Sequence, residues 1–164
     1  MELFDFLKNI SNEVYVFIVS MFPIVELRGA IPLGAAMGMN IFECYFLSVL
    51  GNLLPIPFIL VFIKKIIEWM SKSKIKLFNK VANKLINKAE KRSGKVDKYS
   101  LWGLFAFVAI PLPGTGGWTG ALIAALMGMR FKKSFFSILV GILVAGVIMS
   151  LASYGVVSFL KIFA

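Results

Sequence analysis

Charged residues along this chain fall in blocks, and long apolar stretches separate the blocks. None occurs from Tyr99 to Met129, a run of 31 residues, and none from Ser134 to Leu160, a run of 27. Cys44 to Ile63 is a third uncharged run, and Val14 to Met39 carries only Glu26 and Arg28. A helix needs about 20 apolar residues to cross a bilayer core of about 30 Å, so the pattern predicts four membrane segments. Ahead of them, Leu3, Phe4, Phe6, Leu7 and Ile10 are spaced as the apolar face of a short amphipathic surface helix over 1–13. The leading residues are acidic (Glu2, Asp5) where a signal peptide would be basic, so no cleaved signal is expected.

Two of the four segments are interrupted. The first contains Phe22-Pro23-Ile24-Val25-Glu26-Leu27-Arg28-Gly29-Ala30-Ile31-Pro32, and the second Ile110-Pro111-Leu112-Pro113-Gly114-Thr115-Gly116-Gly117-Trp118-Thr119-Gly120. Proline removes a backbone donor and clashes with the preceding turn, while clustered glycine loosens what remains. Neither segment is expected to run as one helix through its middle. At membrane depth such backbone is tolerated only where protein or a watery cavity satisfies it, as in the broken segments of transporters.

The halves also resemble each other. An ungapped shift of 90 residues pairs Phe17 with Phe107, Pro23 with Pro113, Ala35 with Ala125, Met37 with Met127, Gly38 with Gly128, Met39 with Met129, Phe46 with Phe136 and Gly51 with Gly141. The same shift superimposes both interrupted segments and both uninterrupted ones. The chain reads as an internal repeat of hairpin plus helix: repeat 1 over 14–63 and repeat 2 over 99–164, joined by a basic segment over 64–98.

Composition agrees and then adds orientation. Of 164 residues, 59% are hydrophobic and 16% charged, yet the net charge is +10. Soluble domains run near 45–50% apolar and about 25% charged. Twelve bases against three acids give residues 64–98 a net of +9, leaving +1 for everything else. If both interrupted segments are re-entrant, Arg130, Lys132 and Lys133 join the basic segment on one face, against Lys8 and Lys161 on the other. The positive-inside tendency then places 64–98 in the cytoplasm of a plasma-membrane protein and makes the two halves inverted.

Within that segment Lys72, Lys76, Lys80, Lys84, Lys88 and Arg92 recur every four residues, with Phe78, Val81, Ala82, Leu85, Ile86 and Ala89 between them. This is an amphipathic helix resting on anionic headgroups. Apart from Phe78 no aromatic residue interleaves with the lysines, and no nucleic-acid motif is present, so nucleic acid is not an expected partner. A partner-docking helix is the remaining alternative.

The chemistry open to the chain is narrow. It has no histidine and one cysteine, which excludes a His-based triad, a His metal site, a thiolate cage and an intrachain disulfide. No catalytic residue, metal site or cofactor is expected, and the protein does not read as an enzyme. The exceptions to apolarity are Glu26 and Arg28, since ionisable groups inside a membrane segment face a cavity or each other. They form either an internal ion pair that pins the hairpin, or a site in which Arg28 holds an anionic group and Glu26 takes a proton or coupling cation. Extended backbone before Gly29 would let them converge. Pro23, Gly29 and Pro32 shape that hairpin.

In the second hairpin Pro111, Pro113, Gly114, Thr115, Gly116, Gly117 and Trp118 form an uncharged turn. Its backbone N–H groups and hydroxyl could cup a phosphate or carboxylate, or its glycines could simply allow close crossing. Trp118 reads as an interfacial or packing aromatic. Asn52, mid-helix beside Gly51, is expected to hydrogen-bond across helices or to touch substrate. Gly34/Gly38 and Ala124/Gly128 mark close helix packing, and Cys44 reads as an inert apolar position.

The two hairpin motifs, Phe22 to Pro32 and Pro111 to Trp118, resemble those of the small multidrug export protein family across nearly the whole chain. That family is distantly similar to DedA-type membrane proteins. The resemblance implies movement of lipids, including polyprenyl phosphates, with an acidic residue in the first hairpin and arginine in the second. Glu26 matches the acidic element; the second hairpin has no arginine, so Arg28 and the glycine turn would replace it. The expectation is therefore an all-α integral membrane transporter with two inverted repeats, a flippase for anionic lipid or polyprenyl phosphate with possible proton coupling. With so few helices per chain, a homodimer is expected. The alternatives are an exporter of small cationic amphiphiles and a non-transporting membrane scaffold.

Overall fold

The computed structural model describes residues 11–72, 83, 98–112 and 114–163. The proposed N-terminal helix over 1–13, the lysine row from Lys72 to Arg92 and Pro113 lie largely or wholly outside the described residues. Among the described residues all regular structure is helical: α1 (Asn12–Met21), α2 (Glu26–Ala36), α3 (Ile41–Leu53), α4 (Ile56–Ser71), α5 (Lys98–Ala109), α6 (Gly117–Leu126) and α7 (Phe131–Phe163).

Among the described residues two of the four expected segments hold a helical stretch long and apolar enough to cross a membrane, while the two interrupted segments hold only the shorter apolar helices α1, α5 and α6 beside α2. The two long stretches are Ile41–Ile63, with a mean hydropathy of 2.3, and Phe131–Phe159, with 2.6. Their outward faces are not those of a water-soluble helix. Phe42, Phe46 and Leu151 are 71%, 59% and 67% exposed, and apolar surface on this scale suits a lipid or protein neighbour rather than water. The first span is stepped: α3 ends at Leu53 and α4 begins at Ile56, because Pro55 and Pro57 supply no N–H to the turn before them. Beyond the step α4 continues to Ser71.

The chain forms two compact units, and these do not follow its halves. One unit comprises residues up to Leu54 together with Ile142 onward; the other runs from Pro55 to Gly141. In the first, α1 packs on α2 and α3, and α2 on α3. The core here is Val16, Leu27, Ala30, Ile31, Ala35, Cys44 and Val49, all buried. In the second, α4 and α5 pack on α6 around Leu104, Val108, Ala121, Ala124 and Ile138. The Ser137 hydroxyl donates to the Leu101 carbonyl at 2.7 Å, tying α7 to α5.

Each unit contains the same helix end. After α2, Gly38 N–H bonds Ala35 O at 3.1 Å and Met39 N–H bonds Gly34 O at 3.0 Å. After α6, Gly128 bonds Ala125 O at 3.1 Å and Met129 bonds Ala124 O at 3.0 Å. Both are Schellman turns, which need a left-handed residue after the cap; Gly38 has φ 76° and Gly128 φ 68°. The next helix follows at once, with the Asn40 side chain accepting from Phe42 N–H at the start of α3.

The leading helices correspond differently from the ungapped pairing. Gly51 faces Ser20 and the carbonyl of Phe17, whereas Gly141 faces Val108 and the carbonyl of Phe105. α1 ends at Met21 and α5 at Ala109. Position 17 is thus matched by 105, not 107, and the shift is 88 before the interruption and 90 after it. Two extra residues in the second interruption account for the difference.

Candidate functional site

The first interruption occupies Phe22 to Val25. Phe22 is extended (ψ 135°), as a residue before proline prefers, and Pro23 then turns the chain. The Phe22 carbonyl accepts from Val25 N–H at 3.2 Å and from Glu26 N–H at 2.9 Å, closing the turn that launches α2. Pro32 does not break the segment. It sits inside α2, withholding the N–H that would reach the Arg28 carbonyl. The expected extended stretch before Gly29 is therefore helix, and the interruption lies ahead of Glu26.

Glu26 carries the unusual geometry. It is 4% exposed, and at φ 50° it is the single positive-φ residue other than glycine among those described. A β-carbon in the left-handed region is strained, and such strain persists where the surroundings over-determine it, often at functional sites. Arg28 is half-buried, and its guanidinium and the Glu26 carboxylate attract each other. A buried carboxylate with a cation two residues away can hold a proton, a cation, or the polar end of an amphiphile.

The second interruption spans Ile110 to Gly116. Thr115 organises it: its hydroxyl lies 2.9 Å from the carbonyls of both Ile110 and Leu112 and accepts from Leu112 N–H at 3.3 Å. Gly114 and Gly116 have φ 80° and 143°. Gly116 and Gly117 are buried, while Pro111, Thr115 and Trp118 are half-buried and Gly114 exposed. The Thr115 hydroxyl thus holds the turn together.

Asn52 is fully buried on α3, but neither atom of its amide has a hydrogen-bond partner among the described residues. No bond from Asn52 across helices is present among the described residues, and the alternative expectation, contact with substrate, stands open. Ser150, buried in the same unit, also has an unpartnered hydroxyl among those residues, and the Ser48 hydroxyl has only the Cys44 thiol one turn away beside it. Sequence reasoning passed over both serines, although Cys44, Ser48 and Asn52 stand at i, i+4 and i+8 on one helix face. Cys44 is fully buried and its thiol donates to the Ile31 carbonyl at 3.6 Å. No group of three or more acidic or cysteine side chains that could hold a metal occurs among the described residues.

Elsewhere, in the second unit, Trp102, Phe105, Phe136 and Val140 line an apolar groove of about 620 Å³, with Lys132 and Lys133 from the start of α7.

Two long apolar helices with exposed aromatics, together with an interrupted segment holding a buried carboxylate beside an arginine, are the features of a membrane protein. The chain belongs to a family described as "Putative small multi-drug export protein", whose model matches residues 26–148, more than half of its length. Comparison with curated proteins and with solved structures returned no match.

Proposed function

We propose that the protein exports small cationic amphiphiles across the plasma membrane, with Glu26 as the group that takes cation and proton in turn. The observation that carries this is the buried Glu26 carboxylate held at φ 50° beside Arg28. Arg28 limits how strongly the carboxylate holds its cation. The matching family adds the export class. In this reading the interrupted segments are re-entrant and the repeats inverted, residues 64–98 lie in the cytoplasm against anionic headgroups, and the protein works as a dimer. Thiol labelling of single cysteines placed near Asn40 and Arg130 tests the topology, and finding both on one face overturns it.

A second reading, an anionic-lipid or polyprenyl-phosphate flippase, is favoured by the apolar groove with Lys132 and Lys133. There a tail would lie on Phe105 and Phe136, and a phosphate on the lysines. One reconstitution separates the two. Ethidium efflux and headgroup accessibility of a labelled polyprenyl phosphate are measured in proteoliposomes of wild type, Glu26→Gln and Arg28→Ala. Efflux that needs Glu26 and survives loss of Arg28 supports the exporter. Lipid scrambling above empty vesicles without ethidium efflux replaces it with the flippase, and neither activity leaves the scaffold.

A further inference from the structure

The unpartnered polar groups of the first unit lie along one seam. On α3, Cys44, Ser48 and Asn52 share a face and all are fully buried. On the second half of α7, Gly146, Ser150 and Tyr154 have the same four-residue spacing and share a face. Contacts at both ends fix how the two faces meet. The Tyr154 side chain reaches Cys44, and its hydroxyl donates to the Met39 carbonyl at 2.9 Å. At the other end a Cβ on Gly146 would stand 3.2 Å from Val49 Cγ2 and 2.7 Å from the Tyr45 ring. The helices are therefore antiparallel, and Ser150, one turn from each contact, falls between Cys44 and Ser48 along α3.

The seam leads to Glu26. Cys44 bonds the carbonyl of Ile31 and faces Gly34 on α2. Asn52 is eight residues beyond Cys44, about 12 Å of helix, and Glu26 is eight residues before Gly34 on a helix running the other way. Asn52 is thus level with the Glu26 end of α2.

Packing does not require these polar groups. Ninety residues on, Ile138 and Ile142 stand in place of Ser48 and Asn52, and both are fully buried. A buried polar atom without a partner costs free energy that an apolar side chain avoids. The seam offers two serine hydroxyls, which both donate and accept, the Asn52 Oδ1 acceptor and the Asn52 Nδ2 donor. A cation leaves the amide N–H unsatisfied and an anion leaves Asn52 Oδ1 unsatisfied. Water satisfies both.

We propose that Ser48, Asn52 and Ser150 hold a file of ordered water through the first unit, and that this file carries protons between the Tyr154 end and the Glu26 carboxylate. The transfer half rests on the reading of Glu26 as the proton site. Each water passes one proton on and accepts one, and the last proton comes to rest on a Glu26 oxygen; no other bond changes. The ionisable groups along the route are Cys44 and Tyr154, with Glu43 near Tyr154 and Arg28 near Glu26.

X-ray hydroxyl-radical footprinting, which generates radicals from buried water in place, tests the water with Cys44 as reporter. In the wild type Cys44 should be oxidised by radiolysis while resisting N-ethylmaleimide. Ser48→Ala with Ser150→Ala, which removes two oxygens without adding bulk, and Asn52→Leu should each lower that oxidation several-fold. Equal oxidation in wild type and variants overturns the water file. Proton transfer is read separately, with a pH dye in proteoliposomes during ethidium-driven exchange. Asn52→Leu should slow proton movement about tenfold, with Asn52→Gln restoring part of it. Lost labelling with unchanged proton movement overturns the transfer half. Wild-type labelling without any ethidium-driven proton movement overturns Glu26 as proton site and leaves the water file standing.

Discussion

Helices α2 and α6 finish in the same turn and begin in different ones. Met37-Gly38-Met39 and Met127-Gly128-Met129 make matching hydrogen bonds at matching distances. At the opposite ends, position 26 is a buried glutamate at φ 50°, and its counterpart ninety residues on is Gly116 at φ 143°. Glycine takes such backbone without penalty, whereas a β-carbon there is strained. The same contrast runs along the following helices. Cys44, Ser48 and Asn52 in one correspond to Ser134, Ile138 and Ile142 in the other, all fully buried. A shared backbone plan has thus been filled with apolar or small residues at one copy's positions and with ionisable and hydrogen-bonding groups at the other's. What recurs in both copies is what the fold requires. What appears in only one is where chemistry is to be sought.

The contrast can be broken by experiment. The largest expected effect is on transport: Glu26→Gln should reduce ethidium efflux from proteoliposomes to the level of empty vesicles, while Thr115→Val in the other interruption leaves most of it. Equal losses would dissolve the assignment of chemistry to one copy. Next come the close approaches. Gly51→Val and Gly141→Val each drive a side chain into a facing helix, and each should destabilise by about 1–3 kcal/mol, read as loss of thermal stability in detergent. A smaller, symmetrical effect is expected at the helix ends. Gly38→Ala and Gly128→Ala should each cost about 1 kcal/mol; a strong inequality between them would mean the two turns do not bear equivalent roles. The smallest effect tests the strain itself. Glu26→Gly should be more stable than Glu26→Gln by about 1 kcal/mol, although both remove the carboxylate.

Much of this was legible in the chain because it is written as long-range composition. Two of the four nearly uncharged runs, 44–63 and 134–160, coincide with the apolar spans, and the interruptions declare themselves through Pro23 and Pro111 with the glycines that follow. Registration was harder to read. Pro23 pairs with Pro113 in an ungapped shift, yet the helix ends at Met21 and Ala109 require 88, because inserted residues cost little inside an irregular stretch. Pro32 looked like a breaker but is tolerated within α2, since one missing N–H does not unmake a helix packed on two neighbours. Glu26 and Arg28 stood out as charges in an apolar run; the strain at Glu26 could not, because φ is set by the turn from Phe22 rather than by residue type. Ser48 and Ser150 passed unremarked for a different reason. A serine in a membrane helix usually bonds its own backbone, as Ser20 does to Phe17 at 2.7 Å, so nothing in the sequence distinguishes the ones that do not.

The length of α7 reaches beyond the site. At 27 residues, its uncharged stretch from Ser134 to Leu160 measures about 40 Å at 1.5 Å per residue, against about 30 Å of bilayer hydrocarbon. An upright helix would push part of its leucine, valine and phenylalanine into water. It must lean, or thicken the bilayer around it, and the cost of each depends on how thick the membrane is. Because Ser150 and Tyr154 ride on this same helix, membrane thickness acts directly on the seam to which they contribute. Lipids with longer or shorter chains should therefore tune transport with no change to the protein's own groups.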